Sequence, residues 1–87
     1  MNPEADRLAL LIAEAKQEKA HAEVLLGNAQ HRAEVYTFDW YIEDGKRHYY
    51  PQGKAALTRL RKRETKLRRL ADRLAYLEAQ YAKALTK

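Results

Sequence analysis

The run Tyr36-Thr37-Phe38-Asp39-Trp40-Tyr41-Ile42-Glu43-Asp44-Gly45-Lys46-Arg47-His48-Tyr49-Tyr50 decides the fold. In it Tyr36, Phe38, Trp40 and Ile42 alternate with Val35, Thr37, Asp39 and Tyr41, a period of two in aromatic and β-branched residues. That spacing predicts a strand. Asp44-Gly45 supplies the two residues that tolerate positive φ in a type I′ turn, so Lys46 to Tyr50 returns as a second strand, ending at Pro51 and Gly53. A two-residue turn pairs Glu43 with Lys46, Ile42 with Arg47, Tyr41 with His48, Trp40 with Tyr49 and Asp39 with Tyr50. One face of this ribbon then holds Phe38, Trp40, Ile42 and Tyr49. The other holds Tyr41, His48, Asp39 and Tyr50.

On both sides of the ribbon the period changes. Asn2-Pro3 reads as an N-cap with proline at the first helical position, followed by Glu4 and Asp6 where the helix dipole favours acids. From there Ala5, Leu8, Ile12, Ala15, Lys19, Ala22, Leu26, Ala29, Ala33 and Tyr36 recur at spacings of 3 and 4, a heptad seam widened by Leu11 and Leu25. Gly27-Asn28 is a candidate break, yet the seam crosses it without a change of phase, so one helix over about 3–34 is expected. After the ribbon, over about 35–50, a second helix over about 54–85 carries the seam Ala56, Leu60, Arg63, Leu67, Leu70, Leu74, Leu77, Tyr81 and Ala84. Thirty residues make a rod about 45 Å long. Helices of that length need a partner helix.

The partner is in the same chain. The strand pairs around Asp44-Gly45 all sum to 89, and the same sum sets Ala33 against Ala56, Ala29 against Leu60, Leu26 against Arg63 and Ala22 against Leu67. It continues through Lys19 and Leu70, Ala15 and Leu74, Ile12 and Leu77, and Leu8 and Tyr81. Small faces large in several layers, which fills volume without overlap. A parallel dimer would instead set Ala against Ala and Leu against Leu. The expected fold is therefore mainly α, an antiparallel two-helix coiled-coil hairpin with a two-stranded β-hairpin at the connection (α-β-β-α), in one domain over residues 1–87. Its core is thin. Either the ribbon folds back on the helices or a partner covers it, and a homodimeric four-helix bundle is a further source of support.

Composition agrees with a helical chain. Of 87 residues, Ala (15) and Leu (12) are the commonest apolar types, while Gly (3) and Pro (2) are scarce, which argues against an all-β or α/β domain. The absence of Cys excludes disulfides and thiolate metal sites. The longest apolar run, Leu8 to Ala13, is too short for a membrane span or a secretory core, so the chain reads as soluble and cytoplasmic, with no membrane partner.

The inventory for catalysis is poor. There is no Ser or Cys, no glycine-rich phosphate loop and no metal-ligand spacing. His21 and His31 are ten residues apart on one helix, about 15 Å, too far to share a metal. His48 reads as a surface ribbon residue. No catalytic residue, cofactor or metal is expected.

Surface chemistry is more informative. The formal charge of +5 is concentrated in residues 54–87, which carry 11 basic and 3 acidic side chains. Arg59, Lys62, Lys66, Arg69 and Arg73 recur at 3, 4, 3 and 4, laying five cations in one column about 20 Å long. Arg61 and Arg68 lie on the opposite flank. Like-charge neighbours at these spacings cost a few tenths of a kcal/mol each, so the column calls for an anionic partner or serves as a solubilising face. The second candidate surface is the ribbon, with Trp40, Tyr41, His48, Tyr49 and Tyr50 as residues of the interface-forming types and edges open to an added strand. The expected function is a small non-catalytic inhibitor or adaptor that engages a protein or nucleoprotein through ribbon and column together. Alternatives are sequence-independent nucleic-acid binding through phosphate contacts of the column, and a structural coiled-coil subunit. Phage-encoded blockers of host machinery, anti-CRISPR proteins among them, share this size class, an analogy that rests on no residue.

Overall fold

The computed structural model describes residues 2–86 and runs in the order α1 (Pro3–Tyr36), β1 (Trp40–Glu43), β2 (Lys46–Tyr49) and α2 (Pro51–Leu85). Helix α1 starts where an Asn-Pro pair should start it. The Asn2 side-chain carbonyl accepts from the Ala5 N–H at 3.1 Å, and Pro3 at the first helical position has no N–H to orphan. The Asn2 amide also donates to the Ala84 carbonyl at 2.9 Å, joining the two ends of the chain. An antiparallel hairpin follows directly from that contact.

Helix α1 continues through Gly27-Asn28 without interruption. Gly27 is exposed, and a Cβ built there meets nothing within 4 Å, so its only consequence is the low helix propensity of glycine. Gly27→Ala is therefore expected to stabilise the protein by about 1 kcal/mol, raising the thermal midpoint by roughly 4–8 °C. A circular-dichroism melt with an unchanged or lower midpoint would contradict a helix continuous at this position.

The helix ends two residues later than periodicity suggested, and the ribbon is shorter. Both the N–H and the hydroxyl of Thr37 donate to the Ala33 carbonyl, which closes the last turn after Tyr36. Residues 37–39 make the bend, so β1 begins at Trp40 and not at Val35, and the strand ladder does not extend to Asp39 and Tyr50. Tyr36 satisfies both the heptad seam and the alternating pattern. The helix claims it, and the two bonds from Thr37 to the Ala33 carbonyl close the turn behind it.

Inside the ribbon the register is the expected one: Trp40 with Tyr49, Tyr41 with His48, Ile42 with Arg47, Glu43 with Lys46. Asp44 (φ 53°) and Gly45 (φ 73°) occupy the left-handed region that a two-residue type I′ turn demands. Tyr50, extended at ψ 163° as the residue before a proline should be, leads into Pro51 at the start of α2, three residues earlier than expected. Gly53, buried in the first turn of α2, sits where a Cβ would lie 2.9 Å from the Tyr36 carbonyl oxygen and 3.2 Å from Tyr49 Cβ. Only glycine permits that crossing without displacement.

The two helices pack along the seams read from the sequence. Helix α1 buries Ala5, Leu8, Ala15, Ala22, Ala29 and Ala33, nearly all small. Helix α2 answers with Leu60, Leu67, Leu70, Leu74 and Tyr81, half-buried, and Leu77. At the open end the relation inverts: Leu8 packs in one cluster with Ala84, Leu77, Ala15 and Ala5, closed over by Leu11, Ile12, Leu74 and Tyr81. The chain is a rod of 65 × 21 × 12 Å with a radius of gyration of 19.4 Å, against about 12 Å for a compact domain of this length.

The ribbon does not fold back on the rod. Among the described helices and strands β1 packs on β2, and β2 in turn meets α2, where Tyr49 lies beside Gly53. Ile42 and Trp40 on one ribbon face are therefore left largely in water, at 66% and 43% exposure, as is Phe38 in the bend before them, at 83%. No helix among the described residues is long and apolar enough to cross a membrane.

Candidate functional site

The cations Arg59, Lys62, Lys66, Arg69 and Arg73 are all exposed along α2, and none is in a salt bridge with a described residue. Glu23, which mirror symmetry sets opposite Lys66, bonds instead to Lys19 one turn away on its own helix, at 3.7 Å. The column thus keeps its full charge. Two open troughs follow it: one of about 540 Å³ lined by Ala55, Thr58, Arg59, Lys62, Arg63 and Lys66, and one of about 510 Å³ lined by Arg61, Lys62, Thr65, Lys66 and Arg69. Arg61, placed on the opposite flank by the sequence reading, borders the second trough. The hydroxyls of Thr58 and Thr65, which also line the troughs, donate to the carbonyls of Lys54 and Arg61, so the unspent donors of the troughs are those of the cations.

Toward the ribbon the groove passes between the helices and gains residues that sequence reasoning left out. A cleft of about 190 Å³ is lined by Arg32, Tyr36, Gln52, Ala55, Ala56 and Arg59. Another of about 170 Å³ is lined by Leu25, Asn28, Ala29, Arg32, Arg59 and Arg63. Helix α1 thus contributes Arg32 and Tyr36, and the seam residue Arg63 serves as a groove wall. The signal was present: Arg32 and Tyr36 are at i and i+4, hence on one helix face, and a cation at a heptad core position invites the question of what it meets. None of these four cavities has a carboxylate in its lining.

Ribbon residues divide between two faces, because side chains alternate along each strand and cross-strand partners share a side. On one face the Arg47 guanidinium lies 4.2 Å from the Trp40 ring centroid, a cation–π contact, with Ile42 and Tyr49 beside it. On the other, Tyr41 stacks on His48 (5.5 Å between centroids, 20° between planes) and meets Tyr50 at 5.2 Å. His48 Nε2 is 3.3 Å from the Glu43 carbonyl, to which the Nε2–H tautomer donates. Trp40 and Tyr49 therefore belong to one surface and Tyr41, His48 and Tyr50 to another. Phe38, in the bend before the ribbon, and Ile42, its most exposed apolar side chain, belong among the candidate contact residues.

Among the described residues no group of three or more His, Asp or Glu side chains is placed to hold a metal ion. The architecture and these surfaces define a class, an α-β-β-α helical hairpin with one basic groove and one aromatic ribbon. No family model, no curated protein and no solved structure matches this chain.

Proposed function

We propose that this chain is a small non-catalytic binding protein, an inhibitor or adaptor that docks on a macromolecular partner with the aromatic ribbon and the basic column and acts by occlusion. The observation that supports it best is the uncovered ribbon face. Trp40 and Ile42 stand on a paired hairpin at the end of the helical rod, with Phe38 in the bend that leads into it, and burying them in a partner removes from water the type of side chain that dominates interface energetics. A hairpin already paired before contact lowers the ordering cost of that encounter. The cations, none of them in a salt bridge with a described residue, add long-range steering toward an anionic partner.

The test is affinity capture with the intact chain and with the Phe38→Ser/Trp40→Ala/Ile42→Ser variant, with and without nuclease. The variant is expected to keep its helical circular dichroism and to bind the captured partner at least thirtyfold more weakly, the loss of one hot spot of about 2 kcal/mol. Undiminished capture by the variant would remove the ribbon from the interface.

A further inference from the structure

Helix packing brings Arg32 of α1 together with Arg59 and Arg63 of α2 around one notch. Like charges gathered this way repel, and no carboxylate in the lining relieves them. We propose that this notch is a binding site for the phosphate backbone of a single-stranded nucleic acid, which continues over Lys62, Lys66, Arg69 and Arg73. The inference deepens the function proposed above by naming what the basic surface takes, and it rests on the reading of that surface as a binding face.

Four features favour this ligand. All three notch cations are arginines, whose planar fork matches phosphate oxygens in bidentate fashion. The troughs are open and run into one another through shared residues, Arg59 in three of them and Lys62 and Lys66 in two, so they suit a polymer passing through and not a small molecule. Tyr36, 45% exposed, lines the same cleft as Arg32 and Arg59 and offers a ring to an unpaired base, which a duplex keeps stacked inside itself. The apolar floor consists of Ala29, Ala55, Ala56 and Leu25, mostly small side chains that give an acidic protein little to anchor in.

Fluorescence anisotropy on the full chain tests it, with a labelled polythymidine of about twelve nucleotides, the duplex of the same length, and polyglutamate as competitor. The single strand is expected to bind more tightly than the duplex. Arg32→Gln/Arg59→Gln, both exposed positions, should lose about tenfold in affinity and flatten the salt dependence by about 1.4 in log–log slope, at about 0.7 per lost phosphate contact. Arg7→Gln/Lys83→Gln removes the same formal charge at the open end of the rod and should stay within twofold of the parent. Tyr36→Ala should lose roughly tenfold and Tyr36→Phe should not. Duplex bound as tightly as single strand, equal losses in the two double variants, or an unaffected Tyr36→Ala overturns the proposal. Binding of polyglutamate alone overturns it while leaving an acidic protein as partner of the column. Binding of no polyanion at low salt removes the column from the proposed function as well and leaves the ribbon's part standing.

Discussion

Leu77→Ala is expected to destabilise the protein by about 3 kcal/mol, the middle of the range for a buried leucine whose cavity only partly collapses. Leu77 is 5% exposed and packs among Ala5, Leu8, Ala15 and Ala84, a cluster to which both helices contribute buried residues. A chain of this length has a total stability of roughly 4–13 kcal/mol, so the loss is a large share of it. The same cluster tests the antiparallel register. Ala15→Leu overpacks the layer at a cost of about 1–3 kcal/mol, and Leu74→Ala empties it at about 2 kcal/mol or more. Combined, the two substitutions restore the volume of that layer. The double variant should then be more stable than the sum of the singles by at least about 1 kcal/mol, read as a shift of the urea midpoint at constant m-value. Additive losses would mean that Ala15 and Leu74 do not share a layer.

That layer was legible in the sequence, because mirroring the two heptad seams about Asp44-Gly45 sets Ala15 against Leu74, and both belong to one cluster in the structure. Each heptad position on the first helix then has one mirror position on the second, and small faces large in several of these layers. Other features depend on quantities a sequence does not carry. Tyr36 fits both the seam and the strand pattern, and the capping bonds of Thr37 decide between them. Whether the ribbon folds back on the rod depends on the direction in which residues 37–39 send it, and no pattern of apolar residues encodes that angle. Arg32 stands apart from the basic column in the sequence and becomes part of a cationic surface only when α2 lies beside it. The division of the aromatic residues between two ribbon faces, by contrast, follows from strand alternation alone.

Gly53→Ala is expected to reverse the sign that the same substitution has at Gly27. Both glycines are helical, and removing a glycine from a helix ordinarily gains about 1 kcal/mol. At Gly53 the added methyl would lie 2.9 Å from the Tyr36 carbonyl oxygen and 3.2 Å from Tyr49 Cβ, atoms fixed to the backbone that no rotamer change can move aside. The first turn of α2 must then separate from the last turn of α1 and from β2, an overpacking cost of about 1–3 kcal/mol that outweighs the propensity gain. A net loss of about 1–2 kcal/mol is expected, so the two alanine variants should differ by about 2–3 kcal/mol. The damage should also be local. Because β2 meets the helices only at this crossing, amide exchange should quicken across residues 36–53 while the cluster around Leu77 keeps its protection. If Gly53→Ala stabilises the protein as Gly27→Ala does, then α2 does not cross α1 at this distance, and neither the cleft beside Tyr36 nor the standing of the ribbon clear of the rod follows from the packing.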